Sequence, residues 1–187
     1  MYIFSRTRAI KPSHMIEGIQ TAKALAAQVT EVTGVNINLY RVVFGFPVGT
    51  VLFSCRLESQ AALGDVFAKL FVNPGYTQAV QDASNVFEGS ATDALTSVVS
   101  SSLTAPKPIV WATQATIANG KFAEAMALGV EIQGFVSGLS GLPTAFCSDT
   151  YGPYPLADFG RHDGRHGSCG RGAFDQRAVR HDARPCR

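Results

Sequence analysis

The period of the apolar positions changes repeatedly along the first hundred residues, and each change marks an element. Tyr2–Ile10, "YIFSRTRAI", is rich in aromatic and β-branched residues and predicts a strand. From Met15 the apolar residues recur at steps of four and three, through Ile19, Ala22, Ala26 and Val29, which is helical spacing; Pro12 and Ser13 supply start chemistry and Gly34 a stop. Val35, Ile37 and Leu39 then alternate with Asn36, Asn38 and Tyr40, the pattern of a strand with one buried face, over residues 35–44. "GFPVGT" turns the chain into a third strand, "VLFSCRL". Ser59 is placed to cap a helix running to about Phe71, "NPGY" breaks it, and Tyr76 to Phe87 continues as helix. A fourth strand is expected over Asp93–Ser101 before the linker "LTAPKP". The order is β-α-β-β-α-β, that of a ferredoxin-like unit.

Beyond the linker the pattern starts again. With the sequence offset by 107 residues and no gap, Ile10 falls on Ile117, Glu17 on Glu124, Val29 on Val136, Gly34 on Gly141 and Gly45 on Gly152. Between these identities size and polarity match as well: Phe4 falls on Trp111, Met15 on Phe122, Ile19 on Met126, Leu25 on Ile132, Leu39 on Phe146 and Phe44 on Tyr151. "IVWATQATI", residues 109–117, is thus expected to be a strand and about Asn119–Gly138 a helix. The organisation expected is one unit over 1–103, a partial second unit over 108–154, and a tail over 155–187 that is disordered or frame-shifted.

"GTVLFSCRLESQAALGDVFAKLFVNPGY" resembles the dimeric α+β barrel superfamily, which includes the NIPSNAP, EthD-like and antibiotic-biosynthesis-monooxygenase-like groups: a glycine turn, a strand, a Ser-capped helix carrying Ala-Leu, then an Asn-Pro-x-Tyr break. The resemblance covers the first copy and the second to about Tyr154. It implies an α+β fold in which two ferredoxin-like sheets pack face to face. Because that barrel normally needs two chains, tandem copies imply that one chain builds it internally, with the second unit truncated; a further homodimer of whole chains is compatible with it. Members of the superfamily include cofactor-free oxygenases, isomerases, haem enzymes and proteins of no known chemistry, so the resemblance speaks to fold more than to activity.

The chain of 187 residues is 46% apolar and 16% charged, which suits a folded rather than a disordered chain. The first residues lack the apolar core of a signal peptide, and no apolar run is long enough for a membrane helix, so a cytoplasmic protein without membrane contact is expected. Cys55, Cys147, Cys169 and Cys186 form no C-x-x-C pair and read as reduced thiols.

The net charge of +2 conceals a split: nine Lys and Arg against ten Asp and Glu through Tyr154, then seven Arg against four Asp and no Lys. Where the offset calls for a counterpart of "VLFSCR" the chain reads "DFGRHD", and the counterpart of the Ser59 helix reads "HGSCGRGAFDQRA". His162, His166 and Cys169 have the spacing H-x-x-x-H-x-x-C, but Gly160, Gly164 and Gly167 interrupt any helix that would align them, so no metal is expected. Four Asp interrupt the arginines and only Phe159 and Phe174 are aromatic, so no nucleic-acid partner is expected either. A shifted reading frame accounts best for the composition. In G/C-rich coding DNA the third codon base is mostly G or C, and moving it to the first or second place yields Arg, Gly, Ala and Pro while Lys vanishes. A natural, divergent terminus is the alternative.

Six residues are candidates for ligand binding. Arg41 stands on the face that Val35, Ile37 and Leu39 make apolar, where a guanidinium needs a partner or a ligand; it would hold a carboxylate or enolate, or else reach solvent at the sheet end or pair with Glu17, and the structural role is preferred. Arg6 and Arg8 share a face with Tyr2 and Phe4 and would form either an anion-binding wall or a solvated strand edge. His14 begins the first helix, as a general base or, the preferred reading, an exposed first-turn histidine. Tyr40 and Trp111 would line an apolar cavity for a flat ligand, or serve as core. No P-loop, dinucleotide glycine motif, Ser-His-Asp set or paired-carboxylate motif is present, catalytic residues are not identifiable, and no cofactor is expected. The function expected is a small-molecule-binding barrel protein, in its sharpest form a cofactor-free monooxygenase-like enzyme acting on a hydrophobic or aromatic substrate. The alternative is a non-catalytic structural or interaction protein.

Overall fold

The computed structural model describes residues 1–151. Five strands form one antiparallel sheet: β1 Tyr2–Ile10, β2 Asn38–Arg41, β3 Thr50–Leu57, β4 Phe87–Ser101 and β5 Ala145–Tyr151, in the order β2-β3-β1-β4-β5. Four helices accompany them, α1 Met15–Thr33, α2 Gln60–Phe71, α3 Pro74–Ala83 and α4 Phe122–Ser140, with a 3₁₀ turn at Pro12–His14 ahead of α1. The class is α+β, and β1 to β4 carry the ferredoxin-like order.

One face of the sheet is built from every second residue of β1 and from the partners opposite them. Tyr2, Phe4 and Ile10 pair with or neighbour Leu57, Cys55, Val51 and Phe87, and this face packs on α1, α2 and α3. Two core clusters result, one around Ile10, Ala22, Val51, Ala83, Val86 and Phe87, the other around Cys55, Leu57, Val66 and Leu70. Gly18 lets α1 approach β1, because a Cβ there would run into the side chain of Ile10. Burial of a residue such as Ile10, 1% exposed, contributes about 1.5–3 kcal/mol.

The caps follow the sequence. Ser59 Oγ accepts from the Ala62 amide at 3.1 Å and opens α2; Asn73 Oδ1 accepts from the Tyr76 amide at 2.8 Å and opens α3, with Pro74 in its first turn. α1 closes on Gly34, whose φ of 78° is the left-handed conformation that glycine adopts without strain.

Several boundaries differ from expectation. The second strand is shorter, 38–41 instead of 35–44, because its sequel folds back through a turn that contains Gly45 and Gly49 at positive φ and returns at Thr50. The second helix after "NPGY" runs from Pro74 to Ala83, not from Tyr76 to Phe87, and Phe87 instead begins β4, six residues before the expected Asp93. A bulge between Thr7 and Ala9 accommodates the added length of β4, and Gly89, at φ 61°, lies in it.

The strand expected over residues 109–117 is not formed: the segment is irregular and Trp111 is 78% exposed. The physical reason is the lack of a strand partner, without which an extended segment cannot satisfy its backbone groups by pairing. The helix expected over 119–138 is α4, and β5 follows it and pairs antiparallel with β4, Val98 opposite Cys147 and Thr96 opposite Asp149. Residues beyond the linker therefore extend the first unit's sheet by one strand, and the described residues contain this one sheet. The expected tail, 155–187, and with it His162, His166 and Cys169, lies outside the described residues.

Candidate functional site: two arginines under the helices

β1 lies in the middle of the sheet between β3 and β4, so Arg6 and Arg8 do not stand on a strand edge. The alternation that turns Phe4 and Ile10 toward the helices turns these two arginines the same way. Each has a different solution to the desolvation of a cation. Arg6 is paired: Nε donates to Asp93 Oδ1 and Nη2 to Asp93 Oδ2, both at 2.7 Å, a bidentate fork held by the cross-strand register Arg6–Asp93. Its guanidinium carbon lies 5.9 Å from the ring centres of both Phe4 and Phe67. The hydrogen bonds that Arg6 donates to Asp93, outweighing burial, push the Arg6 pKa further up.

Among the described residues Arg8 has no such carboxylate. Its guanidinium carbon sits 4.9 Å from the centre of the Phe87 ring, and its Nε is buried without a hydrogen-bond partner among the described residues. Burial, and secondarily the charge of Arg6, push its pKa down. The guanidinium stays protonated across any ordinary pH, so what the shift expresses is a cation short of a counter-charge. An anion brought to Arg8 would supply the missing acceptor and offset part of the desolvation cost.

The other sequence candidates are not gathered here. Arg41 ends β2 opposite Val51 and is exposed, and among the described residues it makes no ion pair with Glu17. Tyr40 alternates with Arg41 and so takes the opposite face of the sheet, half-buried across from Leu52. Trp111, in the irregular segment, meets only the Phe44 ring among the aromatic side chains of the described residues, at 6.5 Å between centres. Neither Tyr40 nor Trp111 lines the groove described below. His14 lies in the turn before α1 with Nδ1 3.2 Å from Glu17 Oε2, an exposed contact one helical turn apart.

A groove of about 520 Å³ runs instead between α1 and the start of β2, lined by Lys23, Ala27, Thr30, Glu31, Asn36 and Ile37 among others. Sequence reasoning passed over it because its walls come from the solvent side of a helix and from the approach to an edge strand, positions whose polar residues look like ordinary surface. It is wide open and its two charges oppose each other. Asp93 was passed over for a related reason: its value as partner to Arg6 depends on a pairing across 87 residues of chain. No group of three or more His, Cys, Asp and Glu able to hold a metal occurs among the described residues.

Solved structures similar to this chain include NIPSNAP-domain and antibiotic-biosynthesis-monooxygenase proteins, groups that the sequence resembles. A NIPSNAP-like domain protein from Burkholderia xenovorans is 14% identical, with a TM-score of 0.46, covering 59% of this chain and 94% of its own. A NIPSNAP family protein from Agrobacterium tumefaciens is 16% identical, TM-score 0.44, covering 50% and 89%. An antibiotic biosynthesis monooxygenase is 18% identical, TM-score 0.39, covering 51% and 95%. No family profile matches the chain, and no curated protein matches it in sequence. No helix among the described residues is long and apolar enough to cross a membrane.

Proposed function

We propose that this protein binds a small aromatic or otherwise apolar molecule bearing one anionic oxygen, and that Arg8 receives that oxygen on the helix-facing side of the sheet. The carrying observation is the half-buried guanidinium of Arg8, stacked on Phe87 with an Nε that has no partner among the described residues, next to an Arg6 already neutralised by Asp93. The pairing of Arg6 makes the division of labour: Arg6 is structural and Arg8 is the cation left for a ligand. A carboxylate would be held as it stands, and an enolate would be stabilised in the same place; the second is the electron-rich form in which a cofactor-free monooxygenase-like reaction would begin. A homodimer and a cytoplasmic location belong to this reading without being required by it.

Calorimetric titration of the full chain with benzoate and naphthoate, against their neutral amides, tests the proposal. Binding of the carboxylates with a preference of about tenfold or more over the amides, removed in Arg8→Met and weakened in Arg8→Lys, is the expected result. Equal affinity for acid and amide, or carboxylate binding that survives Arg8→Met, would overturn it. The reading as an interaction protein draws on a separate observation, the large apolar side chains left exposed on α4 and around Phe44, Phe46 and Trp111.

A further inference from the structure

α4 is apolar around most of its circumference, yet none of its residues is buried: Phe122 is 60% exposed, Ile132 51%, Phe135 68% and Leu139 77%. A helix of this composition is stable in water only when something covers it. What covers such a helix is visible 107 residues earlier. Met15, Ile19, Leu25, Val29 and Val32 of α1 align with Phe122, Met126, Ile132, Val136 and Leu139 of α4, and all five α1 residues pack on the core clusters that β1 and β3 supply.

The local wiring recurs at the same interval. Thr33 Oγ1 donates to the Val29 carbonyl at 2.6 Å and accepts from the Val35 amide at 3.1 Å; Ser140 Oγ donates to the Val136 carbonyl at 2.7 Å and accepts from the Leu142 amide at 3.1 Å. Gly34 closes α1 at φ 78°, its amide donating to Thr30, and Gly141 closes α4 at φ 66°, its amide donating to Ser137. Leu39 of β2 packs on the cluster that contains Ala22, and Phe146 of β5 packs against Gly129 so closely that a Cβ on that glycine would clash. The pair α4–β5 is thus built as α1–β2 is built, but α1 also lies on β1 and β3, whereas α4 meets only β4 and β5 among the described residues and leaves Phe122, Ile132, Phe135 and Leu139 uncovered.

Both counterparts can be located in the sequence. That of β1 is the irregular segment 109–117, with Ile109 87% exposed. That of β3 falls on residues 157–164, "ADFGRHDG", which has no apolar alternation. β5 ends the sheet, pairing only with β4 among the described residues, so its other edge offers unpaired amides and carbonyls to a strand.

We propose that the free edge of β5 and the bare face of α4 are the docking surface for one further strand and the helix after it, of the kind that residues 50–71 form in the first unit, and that this segment is encoded in a neighbouring reading frame of the same gene beyond about codon 154. Docked on β5, the strand gives residues 109–117 the neighbour they lack, and the two together cover α4 as β3 and β1 cover α1.

The coding DNA, translated in its two other frames from about codon 150, is expected to yield an alternating apolar strand followed by a helix with a Ser, Thr, Asp or Asn cap. The chain as it stands and the frame-restored chain are then compared by iodide quenching of the single tryptophan, Trp111. Quenching is expected to fall several-fold in the restored chain, with both proteins monomeric. Should the restored chain not fold, appending the first unit's own residues 49–71 after residue 154 provides the same readout. The proposal fails if neither frame encodes such a segment, or if Trp111 is quenched equally in the chain with the segment supplied. It fails also if the present chain already shields Trp111 in a concentration-dependent dimer, since a second copy would then be the occupant.

Discussion

Arg6 and Asp93 face each other directly across the β1–β4 pairing, and their side chains meet in a two-pronged ion pair with both contacts at 2.7 Å. The pair is about a third exposed, 31% and 28% for the two side chains, so solvent screens part of its energy. Asp93→Ala is expected to cost about 1–2 kcal/mol in urea denaturation, because it leaves a half-buried guanidinium without its acceptor. Arg6→Met in the Asp93→Ala background is expected to recover part of that loss, since the stranded charge goes with it. A double-mutant cycle measures both, and a zero coupling energy would show the pair to be a passive surface contact.

The approach of α1 to the sheet at Gly18 gives an opposed pair of glycine substitutions. Gly18→Ala places a methyl into Ile10 and is expected to destabilise by about 1–3 kcal/mol. Gly64→Ala lies on an exposed position within α2 with nothing nearby and is expected to stabilise by about 0.5–1 kcal/mol through helix propensity. Thermal unfolding of the two variants should move in opposite directions.

Cys55 is 2% exposed between Phe4 and the α2 residues, and burial pushes its thiol from 9.0 up to about 11. Because the folded-state pKa is the raised one, the contribution of this thiol to stability is complete below pH 9 and is lost as the pH rises through about 11. The fall in stability between about pH 8 and pH 10.5 is therefore expected to be smaller in Cys55→Val than in the parent chain. Peptide-mapped alkylation near pH 8 should leave Cys55 unmodified until the protein is unfolded.

Two caps are expected to weigh alike. Ser59→Ala and Asn73→Ala each remove the side-chain acceptor for an amide in a helix's first turn, at 3.1 and 2.8 Å, and each should cost about 1 kcal/mol in denaturant titration. Ser59→Asp should hold the parent stability, as its carboxylate accepts the same bond and favours a helix start.

Much of the first unit was legible because its elements are fixed by neighbours in the chain. The bounds of β1, the closing of α1 at Gly34 and the Ser59 cap all follow from side-chain period and from hydrogen bonds spanning only a few residues. The face shared by Arg6, Arg8 and Phe4 was likewise legible, since alternation in a strand is a local property. Tertiary structure alone decided that this face lies beneath helices in the sheet's centre, and that Asp93 neutralises Arg6 while Arg8 has Phe87 and, among the described residues, no partner for its Nε. Those outcomes depend on which strand lies beside which, across 87 residues in the case of Arg6 and Asp93. The segment 109–117 shows the same division: its composition suits a strand, but a strand exists only once another offers its edge, and among the described residues none does.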